Sequence, residues 1–218
     1  MREALKTTLS LEVHRRLVED LGVSAKAALI LSRLLEKGKT TVRTVELLAL
    51  MEEEGLSEED LEEALIELEG LRALLPARSK VGRGLAWEFR VLSLRVDEEF
   101  EMPLSIYYAL EGLASTGTWS YEYAAQRYFE AIKEPLADLF IDALKRLLSK
   151  CTAMMVSAED IKEAVVEAGL PIEKVGIFIS ELKGGGFISP IITMTQLQRS
   201  IRGPLYELNP LLFRRSGG

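Results

Sequence analysis

One cysteine and one histidine stand in 218 residues. A lone Cys151 excludes an internal disulfide, and with His14 it excludes a Cys/His zinc site of the usual four-ligand kind. No run approaches the roughly 18 consecutive apolar residues that mark a membrane span. The opening MREALKTTLS lacks the apolar centre of a secretory signal. These absences set the expectation of a reducing, cytoplasmic setting with no membrane insertion. Asparagine and glutamine are few against dense leucine, glutamate and arginine, which leans thermophilic. A formal charge of −7 argues against a generic nucleic-acid coat, which is basic overall.

What is present is unevenly charged. Ser57 to Gly70 hold seven acids (Glu58, Glu59, Asp60, Glu62, Glu63, Glu67, Glu69) and no base. Residues 78–95 hold five bases against Glu88 alone, and residues 183–218 five bases against Glu207, a net of +4 each. The two basic stretches occupy similar places in the two halves of the chain. Its length suffices for one large or two small domains, each with its own core.

Helical spacing dominates the first 75 residues. Leu17 and Leu21, then Ala28, Leu31, Leu34 and Leu35, recur at three- and four-residue intervals. Gly22 can end one helix and Ser24 can cap the next, which stops near Gly38. A third helix runs to Gly55. Ser57 with Asp60 has capping-box spacing and starts a fourth, whose stripe of Leu61, Ala64, Leu65, Leu68 and Leu71 leaves the acids in solvent. After Pro76, two β-prone segments flank Gly-Arg-Gly at 82–84 and predict a hairpin.

The second half repeats the pattern. Leu136, Leu139, Phe140, Ala143, Leu144 and Leu147 form an amphipathic helix. Ser157 and Asp160 have the same capping spacing as Ser57 and Asp60. Pro171 opens a helix that ends in glycines, and strand, loop and strand follow. Between the halves lies an aromatic-rich stretch with Tyr107, Tyr108, Trp119, Tyr121, Tyr123, Tyr128 and Phe129. It predicts two helices around STGT, packed between the domains or against a second copy. The expected fold is mainly α with small β-hairpin wings, in tandem winged helix-turn-helix domains at 1–98 and 134–218 joined by a helical connector at 99–133.

The stretch from Leu21 to Leu75, with its Leu-Gly-x-Ser before a helix and a glycine near the end of the third helix, resembles winged-helix proteins of the MarR and archaeal TrmB type. The likeness covers residues 21–95, with a weaker echo over 136–213. Tyr206–Pro210 looks like a closing wing strand. The resemblance implies a DNA-associated, transcription-regulator-like protein, with a homodimer compatible with it. Here the sequence departs from the family, because DNA-reading helices expose Arg, Lys, Gln, Ser or Asn where this one exposes acids. Each carboxylate brought close to a phosphate costs about 1 kcal/mol even at water-like dielectric. Several such contacts would cancel much of the roughly 4–10 kcal/mol that separates specific from non-specific binding.

DNA contact would therefore fall to the wings, through Arg78, Lys80, Arg83, Arg90, Lys183, Arg199 and Arg202. About six such cations on phosphates would give a log–log salt slope of about −5. The alternative is a scaffold that does not read DNA, like the tandem winged-helix small subunits of chromosome-organising or membrane-remodelling complexes. It would bind a protein partner through Glu62, Glu63, Glu67, Tyr107, Tyr108 and Trp119. Catalysis is not expected. His14 sits beside two arginines with no nucleophile context, and Cys151 reads as a small buried hydrophobe. The Gly-rich stretches at 82–84 and 184–186 lack the Lys-Ser/Thr of a phosphate loop, and no cofactor or metal is implied. The terminal Ser-Gly-Gly reads as a frayed end or cloning remnant.

Overall fold

The computed structural model of the chain describes residues 2–77, 80–81, 84–85, 98–191 and 203–214. The helices form where the sequence supplies both an apolar stripe and a cap. After α1 (Arg2–Glu19), the Ser24 hydroxyl accepts from the Ala27 amide at 3.2 Å and opens α2 (Ala25–Lys37). Gly38, at φ 63°, closes it in the left-handed region that favours glycine. Strand β1 (Thr41–Arg43) leads into α3 (Thr44–Glu53), and Ser57 with Asp60 forms the capping box of α4 (Glu58–Gly70). Strand β2 (Leu75–Pro76), the short antiparallel pair β3 (Lys80–Val81) and β4 (Gly84–Leu85), and β5 (Glu99–Glu101) complete this half. The hairpin expected around residues 82–84 thus has its paired strands, while 82–83 lie outside the described residues.

Two helices follow, α5 (Leu104–Thr116) and α6 (Tyr121–Ala131), separated at Gly117 as the STGT turn predicts. Then come α7 (Ala137–Lys150), β6 (Met155–Ser157), α8 (Ala158–Glu167), a one-turn 3-10 helix (Ile172–Lys174), α9 (Val175–Gly184), β7 (Ile188–Pro190) and β8 (Leu205–Leu208). Pro171 stands before the 3-10 turn, so α9 starts later than the sequence suggests.

The chain is mainly helical, with two small antiparallel three-stranded sheets among the described residues. Their strand orders are β1-β5-β2 and β6-β8-β7. In both, the last strand inserts between the other two, pairing Val42 with Phe100 in one and Val156 with Tyr206 in the other. Each sheet is served by the same succession of helix, strand, helix, helix, strand and returning strand. The capping boxes do not mark equivalent helices, however. Ser57 caps the third helix of its unit, whereas Ser157 caps the second. Strand β5 belongs to the first sheet, which therefore extends to Glu101, past the boundary drawn at 98.

One continuous core runs from Val13 to Leu212. The aromatic connector is built into it. Phe129 meets Phe140 edge-on at 5.5 Å and stacks with Phe187 at 6.4 Å, while Phe140 meets Phe178 at 5.2 Å. Such pairs add to the area they bury. The start of α5 is tied to the end of α9: the Ser105 amide donates to the Gly185 carbonyl at 2.9 Å, and its hydroxyl to Gly186 at 3.1 Å. A side chain at Gly186 would place its Cβ 2.5 Å from Pro103 Cβ, so only glycine permits this approach.

The polar centre of the molecule is Asn209, the only asparagine in the chain and fully buried. Its Nδ2 donates to the Arg72 carbonyl at 3.1 Å and the Gly186 carbonyl at 3.2 Å. Its Oδ1 accepts from the amides of Leu211 at 3.2 Å and Leu212 at 3.1 Å. All four side-chain bonding positions are used. Asn209→Ala strips the Arg72 carbonyl and the Leu212 amide of these partners, and a buried orphan group costs about 1–3 kcal/mol. We expect a melting midpoint lowered by roughly 5–10 °C in calorimetry, as a loss of about 2–3 kcal/mol implies at this chain size. An unchanged midpoint would show that Asn209 is not the tie.

Candidate functional site

Helix α4 presents the acidic face. Leu61, Ala64, Leu65 and Leu68 are buried, and Glu58, Glu59, Glu62 and Glu63 are exposed. Among these acids Ile66 stands 56% exposed. Ile66 lies off the buried stripe, so its exposure could have been read from the spacing. The acids divide by what they touch. Glu63 pairs with Lys26 Nζ at 2.7 Å, and Asp60 pairs with the same ammonium. Glu67 accepts from the Ser24 amide at 2.9 Å, at the start of α2 where the helix dipole favours an anion. Glu63 and Glu67, both expected to meet a partner, therefore help hold α4 against α2. Glu59 and Glu62 have no hydrogen bond or ion pair among the described residues.

The equivalent helix of the second unit, α9, buries Phe178 and Leu182. It exposes Gly176 and Ile177 (43%). Ile172 in the preceding turn (50%) and Val166 on α8 (51%) are exposed as well. Lys183 is half-buried in its last turn. Strand β4 of the first unit lies against α9, so one unit's ribbon touches the other's third helix. The side chains of Lys80, Arg78, Arg83, Arg90, Arg199 and Arg202 lie outside the described residues.

The aromatic residues separate too. Tyr107 and Tyr108 are half-buried on α5 with ring centroids 5.7 Å apart, and the Arg127 guanidinium sits 5.8 Å from the Tyr108 ring. Burial pushes the Tyr107 hydroxyl above its ordinary pKa. Trp119 is 8% exposed, and its Nε1 donates to the Leu212 carbonyl at 3.1 Å. It packs against the closing segment after β8, residues 209–214.

Among the described residues no group of three His, Cys, Asp or Glu side chains could hold a metal ion, and no helix is long and apolar enough to cross a membrane. His14 is half-buried on α1, and Cys151 is half-buried after α7 with its thiol pushed up by burial.

One protein-family model matches residues 30–215, from within α2 to just beyond the closing segment. The chain belongs to that family. The match takes in both units and the connector together, and it carries no statement of activity. No curated protein and no solved structure matches the chain.

The ammonium of Lys26 holds the Asp60 carboxyl well below the usual carboxylate range, helped by the Ser57 amide and hydroxyl. Asp60 in turn raises Lys26 above its ordinary value. A depressed carboxyl favours the folded state above its unfolded pKa of about 4, and this contribution is lost as pH falls through the folded value. We expect Lys26→Met to move the Asp60 midpoint upward in a carboxyl-detected NMR titration. A midpoint that stays in place would assign the depression to Ser57 alone.

Proposed function

We propose that the chain is a non-enzymatic scaffold of tandem winged helix-turn-helix units that docks a protein partner on the third helix of its first unit. The repeated element order, with α4 and α9 in the position of a recognition helix, supports the winged-helix reading. The observation that carries the docking reading is the face of α4. Glu59 and Glu62 with exposed Ile66 suit a basic, partly apolar protein surface and repel a phosphate backbone. On the second unit the exposed positions are Ile172, Glu173, Gly176 and Ile177, with Lys174 and Lys183 half-buried.

A second reading keeps DNA as the partner, gripped by the ribbons without base reading. The net +4 of residues 78–95 and of residues 183–218 favours it. The two readings differ in salt dependence.

Two measurements decide. Fluorescence anisotropy of a mixed-sequence duplex at several salt concentrations is expected to show no binding tighter than tens of micromolar. A photo-crosslinker at position 62 is expected to give a discrete protein adduct in cells, lost when Glu59→Lys and Ile66→Lys are added. These positions avoid Glu63 and Glu67, which serve the α2–α4 contact. Tight duplex binding with a slope of about −5, abolished by reversing Arg78, Lys80 and Arg83 to Glu, would overturn the scaffold in favour of the ribbons.

A further inference from the structure

A cleft of about 810 Å³ opens where the connector, the second unit and the closing segment meet. Its size falls in the range of small-molecule sites, roughly 300–1,000 Å³. Trp119 and Tyr121 come from the α5–α6 turn and the start of α6. Leu148 comes from the end of α7, Met154 from the turn before β6, and Leu212 and Phe213 from the closing segment. Two of these walls are held rigidly. The Trp119 indole is pinned to the Leu212 carbonyl, and the rings of Tyr121 and Phe213 pack 5.4 Å apart at 52°.

The third wall is strained. Thr152 and Met155 bridge across a two-residue turn in which Ala153 has φ 50° and Met154 φ 60°. Turns of this hand take Asn or Gly, because a Cβ is unfavourable there. Neither is present, yet the turn puts Ala153 and Met154 on the cleft wall. Strain of this kind persists where the surroundings enforce it and gathers at ligand sites.

The polar groups on the lining are few: the Ser149 hydroxyl, which donates to the Arg146 carbonyl of its own helix, the Cys151 thiol, and Arg214 at the rim. Arg214 is exposed and makes no ion pair or side-chain hydrogen bond among the described residues. Among the described residues no acid lines the cleft. An aromatic and aliphatic cleft with a guanidinium at its rim, beside Gly22 and unpaired among the described residues, matches a ligand that is apolar along its body and anionic at one end.

We propose that this cleft binds an amphipathic organic anion, its apolar body between Trp119, Met154 and Phe213 and its carboxylate or sulfonate on Arg214. This goes beyond the docking reading and does not depend on it, since α4 contributes nothing to the lining.

Cys151, the only cysteine, reports occupancy. The probes are 8-anilinonaphthalene-1-sulfonate and its uncharged counterpart N-phenyl-1-naphthylamine, titrated against the full chain and followed by energy transfer from tryptophan. Iodoacetamide modification of Cys151 is timed at pH 8.5, where a thiol raised by burial still reacts. The expected result is one sulfonate per chain, bound at least fivefold more tightly than the amine, with Cys151 alkylation slowed about tenfold at a sulfonate concentration roughly ten times its Kd.

Arg214→Gln should remove the preference for the sulfonate and leave the amine's affinity unchanged. Ser149→Trp, on an exposed position whose only bond is within its helix, should weaken both probes about tenfold while circular dichroism stays native. Equal affinity for the two probes in the natural sequence, a preference that survives Arg214→Gln, or sulfonate binding that leaves Cys151 unprotected would each overturn the assignment.

Discussion

A single buried amide sets the relation between the two halves. Asn209 sits where the turn after α4, the exit of α9 and the closing segment converge, and it satisfies a backbone group from each. Arg72 supports it from the first unit. At φ 56° its backbone is in a conformation that costs a non-glycine residue roughly 1–2 kcal/mol. That geometry turns its carbonyl toward Asn209 while its guanidinium reaches Glu207 on β8 at 3.3 Å. A half-satisfied network at such a point would be worse than an apolar contact. Asn209 itself uses all four of its bonding positions, and that is what makes the junction specific.

That junction ties the turn after α4 to the exit of α9. The core is continuous across the connector, and the α5 start is bonded to the α9 exit. Two DNA-reading domains on a flexible tether could each search for a groove. Here the third helices are held at a set spacing, and β4 of one unit rests on α9 of the other. A fixed pair of surfaces suits a partner with matching shape, because little ordering entropy remains to be lost on binding.

Local structure was legible in the sequence and the junction was not. Ser24, Gly38, Ser57 and Gly117 act through bonds within a few residues, so their spacing alone placed α2, α4 and the α5–α6 turn. The acidic face followed from the same periodicity. Asn209 joins residues 137 positions apart, and no periodicity encodes such a contact. The place of Trp119 was illegible for a related reason. In sequence it is one aromatic among several, and only the position of the Leu212 carbonyl decides that its indole turns inward. Glu63 and Glu67 looked the same as Glu62 until α2 was packed alongside, with Lys26 and the Ser24 amide as their partners.

The two units show how little topology constrains use. Their sheets share strand order and register logic, yet one third helix carries acids around Ile66 and the other exposes Gly176 and Ile177. Core positions answer to packing, and both units fill them with leucine, isoleucine, valine and phenylalanine. Solvent-facing positions on the third helix answer only to what they meet. Had both units met phosphate, both faces would need cations. The exposed face of α4 carries acids, whereas α9 exposes Gly176 and Ile177 and keeps Lys183 half-buried. The fold and its solvent face therefore carry separate information, because the same succession of elements supports two unlike exposed faces.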